Sequence, residues 1–249
     1  LLKKFLPWLD NDFYMTAKEI LSELKTLGKE TTKQTFSNHG APYTSYGVKI
    51  EELKKIQKKI KKNYGLSIEL YNSGISDAQY LAGLIADETR MTKVDLQLWA
   101  EQATWYLLSE YTVAWITAES PYGHELALKW IDDKREFMQA AGWSALASLV
   151  SIKKDEDLDL KELKSLLKRV EMEIHSAANR TRYTMNAFVI ALGGYVPALT
   201  EEAKKAGKAI GKVSVDMGGT ACKVPFSPDY IQKMEDKGVI GRKKKMARC

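Results

Sequence analysis

The chain of 249 residues is 45% hydrophobic and 28% charged, a globular composition with length for one large core or two small ones. Two cysteines, Cys222 and Cys249, are too few for a disulfide scaffold or a cysteine-based zinc site and suit a reducing, cytoplasmic setting. No apolar run nears the roughly 20 residues of a membrane span, and the net charge of +6 is concentrated at one end: residues 201–249 hold twelve Lys and Arg against six Asp and Glu, leaving 26 against 26 before them.

Residues 1–14 contain a short apolar stretch, Phe5 to Leu9, without a small-residue cleavage pattern, so they read as an N-terminal extension and not a signal peptide. Met15, followed by Thr16 and the helix formers Ala17, Lys18 and Glu19, is the expected native start. From there the apolar spacing is helical: Ile20, Leu21, Leu24 and Leu27 share one face, and Ile50, Leu53, Ile56 and Ile60 another. Start and stop signals recur, with Asn72-Ser73-Gly74 before Ser76-Asp77, Ser120-Pro121 opening a helix and Gly193-Gly194 closing one. Helices are predicted over 16–28, 48–62, 66–72, 76–87, 92–102, 105–118, 122–132, 134–151, 159–175, 179–192, 199–210 and 228–237.

A dozen helices on short links cannot share one four-helix core. The economical arrangement is an all-α, HEAT-like repeat α-solenoid, a right-handed alpha-alpha superhelix in which each pair packs mainly on its neighbours. The repeat domain is expected over 15–212. Residues 213–249 then form an end piece: the glycine-containing loop Val213 to Pro225, a terminal helix and the basic tail. Within the loop Asp216, Cys222 and Lys223 are candidates for function, and a plug at the end of the solenoid explains them equally.

Chemistry concentrates in three places. Five of the six tryptophans fall at Trp99, Trp105, Trp115, Trp130 and Trp143, and the segment from Trp105 adds Tyr106, Ser109, Glu110 and Tyr111. Aromatic faces with one carboxylate suit a cationic, electron-poor ring and an oxocarbenium-like transition state; the alternative is that the tryptophans fill the core. Arg180 and Arg182 open a helix whose dipole opposes them, so they point to an anion such as phosphate or to ion pairs with an acidic face such as Glu171 or Glu173. Asn186 and Phe188 follow on the same helix.

The third concentration is basic: a face of Lys54, Lys55, Lys58, Lys59, Lys61 and Lys62, and the tail run Arg242, Lys243, Lys244 and Lys245 with Arg248. Either can neutralise a nucleic-acid backbone or stand as solvated charge. His39, His124 and His175 show no ligand spacing, and phosphate-loop, dinucleotide and nucleophile-elbow motifs are missing, so neither metal nor organic cofactor is expected.

Four pieces of sequence resemble the AlkD-like DNA alkylation repair proteins: Tyr46-Gly47-Val48 leading into Glu52-Leu53-Lys54-Lys55-Ile56, Leu70-Tyr71 before Ala82-Gly83-Leu84-Ile85-Ala86, Thr104-Trp105, and the Val213 to Pro225 loop. The resemblance implies a HEAT-like solenoid whose basic groove holds double-stranded DNA, and hydrolytic excision of N3- and N7-alkylated purines by tryptophans and an aspartate. Trp105 matches the first aromatic of the family's Trp-x-x-x-Asp pattern, but Ser109 stands at the aspartate position. The family arginine aligns near Ala140 and its second tryptophan near Ala187 or Phe188.

By that resemblance Trp105 and Glu110 are the catalytic candidates, with Glu110 replacing the lost aspartate if the helix is rotated. Tyr106, Ser109, Tyr111, Asn186 and Phe188 wall the lesion pocket, and Arg180, Arg182, Lys243, Lys244 and Lys245 contact phosphates. The leading expectation is a DNA alkylation repair glycosylase that excises alkylated purines; the alternatives are a non-catalytic binder of damaged or branched DNA of the same family and, second, a HEAT-like protein–protein scaffold.

Overall fold

The computed structural model describes residues 15–248; the expected extension over 1–14 lies outside the described residues, as does Cys249. Among the described residues every regular element is helical. Three helices open the chain: α1 (Ala17–Leu27), α2 (Glu30–Asn38) and α3 (Ile50–Ile60). Five pairs follow. They are α4 (Tyr64–Asn72) with α5 (Ser76–Ile85), α6 (Lys93–Gln102) with a π-helical segment (Leu107–Val113) running into α7 (Ala114–Glu119), α8 (Gly123–Ile131) with α9 (Glu136–Ile152), α10 (Leu160–Glu173) with α11 (Asn179–Tyr195), and α12 (Thr200–Ile210) with α13 (Ser227–Asp236).

The second members form an inner row in which α5 touches the π segment, the π segment and α7 touch α9, α9 touches α11, and α11 touches α13. This is a HEAT-like repeat solenoid. Its two rows have different compositions because they meet different surroundings. Outer α10 is amphipathic, burying Leu163, Leu166, Leu167 and Val170 and capped by Asp159, whose side chain accepts from the amides of Lys161 and Glu162. Inner α5 is buried at every position.

Inner α9 carries Ala140, Ala141, Gly142, Ser144 and Ala145, small residues that let backbones approach. A Cβ at Gly142 would stand 2.8 Å from the Ile131 amide nitrogen and 2.9 Å from the Ala127 carbonyl oxygen, both on α8. The Gly193-Gly194 pair does a similar job. Read from sequence as a helix stop, it lies inside α11, where a Cβ on Gly193 would meet Ile231 Cδ1 at 2.4 Å, so it serves as the docking seat for α13.

The sequence pattern missed α2, which buries no residue, and read 105–118 as one α-helix. The π segment widens the turns to i→i+5 bonds and shifts the phase of every side chain along it. The Tyr46-Gly47-Val48 motif has a clear structural job: the buried Asp77 carboxylate, in the first turn of α5, accepts from the amides of Tyr46 at 2.6 Å and Val48 at 2.8 Å and from Ser45 Oγ at 3.1 Å.

The basic tail is neither frayed nor free. It crosses the C-terminal ends of the inner helices in turn: Gly241 N–H donates to Gly194 O of α11, Lys243 Nζ to Val150 O and Lys244 N–H to Ser151 O of α9, and Arg248 Nη1 to Ala86 O just beyond α5. The last carbonyls of a helix lack intrahelical donors and carry the negative end of its dipole, so a cationic strap satisfies both needs. Arg248 also holds Glu119, at the end of α7, through Nε at 2.8 Å.

Two stability measurements test this packing. Gly142→Ala forces α8 and α9 apart and should cost about 1–3 kcal/mol in urea unfolding. Arg248→Ala removes the guanidinium from Glu119, whose carboxylate keeps the amides of residues 247 and 248, and should cost about 1.5–3 kcal/mol, whereas exposed Lys245→Ala should stay within about 0.5 kcal/mol of the parent.

Candidate functional site: a buried ion pair, a small aromatic cavity and a basic groove

The five clustered tryptophans are all buried, none above 6% exposed. Trp99 stacks on Tyr71 with ring centroids 4.1 Å apart, Trp130 Nε1 donates to Gln97 Oε1 at 3.0 Å, and Trp143 packs on Phe188 at 5.2 Å. They are core, and a sugar has no open tryptophan face to lie on among them. Of the expected lesion-pocket residues, Phe188 is wholly buried, and Asn186 is spent on a hydrogen bond to Pro225 O at 2.9 Å.

The π segment decides the fate of the two candidate catalytic positions. Ser109 is fully buried, its hydroxyl turned back towards Trp105 O at 3.4 Å. Glu110 meets Arg180 of α11, seventy residues away: Arg180 Nε donates to Oε1 at 2.7 Å and Nη2 to Oε2 at 2.6 Å. The side chains are 3% and 12% exposed, so this is a bidentate ion pair inside the protein.

Tyr106 and Tyr183 sandwich the Arg180 guanidinium, each ring centroid 4.5 Å from it. The Arg180 amide, one of the unpaired donors at the start of α11, is taken by Glu136 Oε1 at 2.6 Å. Arginine at a helix N-terminus is thus explained by an ion pair, though with Glu110 and not with Glu171 or Glu173, which bind Lys168 and Arg169. Among the described residues Arg182 reaches Asn179 Oδ1 alone, at 3.4 Å. Burial pushes the Glu110 carboxyl up to about 7 against the pull of Arg180, with Glu136 adding to the rise.

Beside this pair lies a cavity of about 190 Å³ at the N-terminal ends of the inner helices, lined by His39, Trp105, Tyr106, Phe137, Arg180 and Met217 among others. Two segments distant in sequence help to close it. The end of α2 brings His39, whose ring is 6.1 Å from that of Tyr106, and Phe36 packs on Trp105 at 5.8 Å. The 213–226 loop is tied down by Asn179, which bonds the Asp216 carbonyl at 2.8 Å and its amide at 2.7 Å. Tyr111 stands one ring further on, 6.4 Å from Tyr106 and 5.4 Å from Trp115.

At the opposite, C-terminal ends of the inner helices is a groove of about 890 Å³ whose lining includes Lys58, Lys61, Lys62, Lys153, Lys245 and Arg248, against Glu88 and Glu119. Lys62 pairs with Glu88 and Arg248 with both acids. Among the described residues Lys58, Lys61, Lys153 and Lys245 make no ion pair and remain available to an outside anion. Of the tail lysines only Lys245 lines this groove; Lys243 is committed to Asp155 at 2.9 Å, and Lys244 lies over the Tyr195 ring at 5.4 Å. Lys153 drew no attention in the sequence because, with Lys154, it stands against Asp155, Glu156 and Asp157 and reads as balanced surface charge.

The pair has measurable consequences. Arg180→Met strands a buried carboxyl and should cost about 3–5 kcal/mol, and adding Glu110→Gln should recover part of that loss. Because the native carboxyl titrates near 7 and its ordinary value is 4.5, the folded state holds more protons in that window. Stability should therefore fall as pH rises from about 4.5 to 7, and Glu110→Gln should remove this slope from urea midpoints measured across the range.

A model of the DNA alkylation repair enzyme family matches residues 20–210. Two uncharacterized proteins, Lin0241 of Listeria innocua and Lmo0209 of Listeria monocytogenes, are each 34% identical over 229 residues, covering 90% of this chain and 99% of theirs. A solved structure from a new family of proteins related to the HEAT-like repeat DNA glycosylases with affinity for branched DNA structures has a TM-score of 0.86 and 36% identity, covering 94% of this chain and 100% of that one. A helical solenoid of this form, matched over most of its length by that family model, belongs to the DNA alkylation repair enzyme family.

Proposed function

We propose that this protein binds branched double-stranded DNA and does not excise bases from it. The observation that carries the reading is the Glu110–Arg180 pair. Excision of an alkylated purine needs a carboxylate able to face a sugar cation and orient water. Here the aspartate position of the family pattern is Ser109, and the neighbouring carboxylate is buried, bidentately bonded and walled by two tyrosines.

Binding has its own support. The related protein of known structure is described as having affinity for branched DNA structures, and the groove supplies four unpaired lysines, Lys58, Lys61, Lys153 and Lys245. These come from α3 and the residue that follows it, the residue just past α9, and the tail, so the strap that caps the helix ends also adds to this lysine surface. Lysines serve here as point charges that release counterions from a backbone without reading sequence.

The test is a titration of a four-way junction and a linear duplex of equal length across a range of salt. The junction should bind at least about tenfold more tightly. Changing all four lysines to Gln should reduce the magnitude of the log K against log salt slope by about 3–4, since each phosphate contact contributes about 0.9. Equal affinity for the two DNAs, or a slope unmoved by the four changes, would contradict the reading.

A further inference from the structure

Lysine charge attracts any DNA backbone, so a branch needs a further contact to be told from a linear duplex. Resting on the reading above, we propose that Lys61 and Met246, two groove side chains without a structural role, read the branch. Lys61 anchors one phosphate, and Met246 fills the break in the base stack.

Lys61 stands where the backbone favours glycine. Just past the end of α3 it has φ 61° and ψ −147°, and among the described residues it is the one non-glycine with a positive φ. The chain makes the same turn past the end of α12, and there the residue is Gly211, with φ 72° and ψ −152°. A side chain on such a turn carries backbone strain that glycine avoids. Packing does not offset it: a Cβ at Gly211 would meet nothing within 4 Å, and Lys61 is likewise exposed. Nor is the helix dipole the reason, because Lys58 and Lys59 already occupy the last turn of α3. What the lysine adds is an ammonium group bordering the groove. Strain of this kind collects at ligand clamps, where the side chain is needed for a contact outside the fold.

Met246 is as poorly explained by the fold. On the strap, Lys244 N–H donates to Ser151 O and Ala247 N–H to Glu119 Oε1 at 2.7 Å, and Ala247 is buried. Between them Met246 is 55% exposed, and of the exposed large apolar side chains among the described residues it is the one that borders the groove. Pinned on both sides, the strap holds it in water. A linear duplex covers its base faces by stacking, so an apolar wedge gains contact there only after unstacking a step. At a branch point the stack is already interrupted. A flexible, polarizable thioether covers the open base face without that cost, while the lysines hold the adjoining backbone.

The test measures single variants on a four-way junction and a linear duplex of equal length. Lys61→Gln removes the charge and Lys61→Gly removes charge and strain together; each should weaken junction binding about fivefold near 0.15 M salt and reduce the magnitude of the log K against log salt slope by about 0.9. Of the two, Lys61→Gly should have the higher urea midpoint. Met246→Ala should reduce the junction-to-duplex affinity ratio from about tenfold to below about twofold, and Met246→Leu should restore it. Junction affinity unchanged in both Lys61 variants, or full junction preference kept by Met246→Ala, would overturn the proposal and leave the branched-DNA reading standing. So would a Lys61→Gly protein no more stable than Lys61→Gln. Equal affinity of the wild type for the two DNAs would overturn both.

Discussion

The bond between Glu110 and Arg180 joins the second helix pair to the fourth across seventy residues of chain, and much of the inner face is arranged around it. Its carboxylate is a poor fit to an apolar helix and its guanidinium a poor fit to a helix N-terminus, yet each supplies what the other lacks. Tyr106 and Tyr183 close over the guanidinium, and Glu136 takes the backbone amide beneath it. Burying such a pair gains little in net stability over apolar packing, but losing one partner is expensive, so the contact fixes geometry more than it deepens the fold.

A second constraint is electrostatic and concerns the helix ends. Inner helices aligned side by side gather positive dipole ends on one edge of the solenoid and negative ends on the other. The cationic strap over 241–248 answers the negative edge by donating to carbonyls of α9 and α11 and to Ala86 O beyond α5, and Arg248 closes it on Glu119. At the positive edge Asp77 and Glu136 accept otherwise unpaired amides. The excess charge of the C-terminal region is thereby divided between holding the fold and, at Lys245, lining the groove.

Much of the fold was legible because outer helices advertise an apolar stripe and inner ones run apolar all round. The helix α2 was not, because its nine residues bury nothing and it contributes a single ring, Phe36, against Trp105. The π segment was hidden for a different reason: spacing alone does not separate i→i+5 from i→i+4 bonding, although the widened turns determine where Glu110 points. Glu110 and Arg180 each drew notice in the sequence, but nothing local says that they meet. The tail showed the limit most clearly, since a basic run reads as phosphate contact or solvated charge, and capping of neighbouring helices depends on a topology not yet known.

The account turns on Glu110 being bound inside the protein and not poised over a sugar. The direct measurement is release of 7-methylguanine and 3-methyladenine from alkylated duplex DNA, with wild type and Glu110→Gln compared at one salt concentration near neutral pH. The account predicts no release above the spontaneous rate from either protein. Release by the wild type that Glu110→Gln abolishes would contradict it and make Glu110 a catalytic carboxylate.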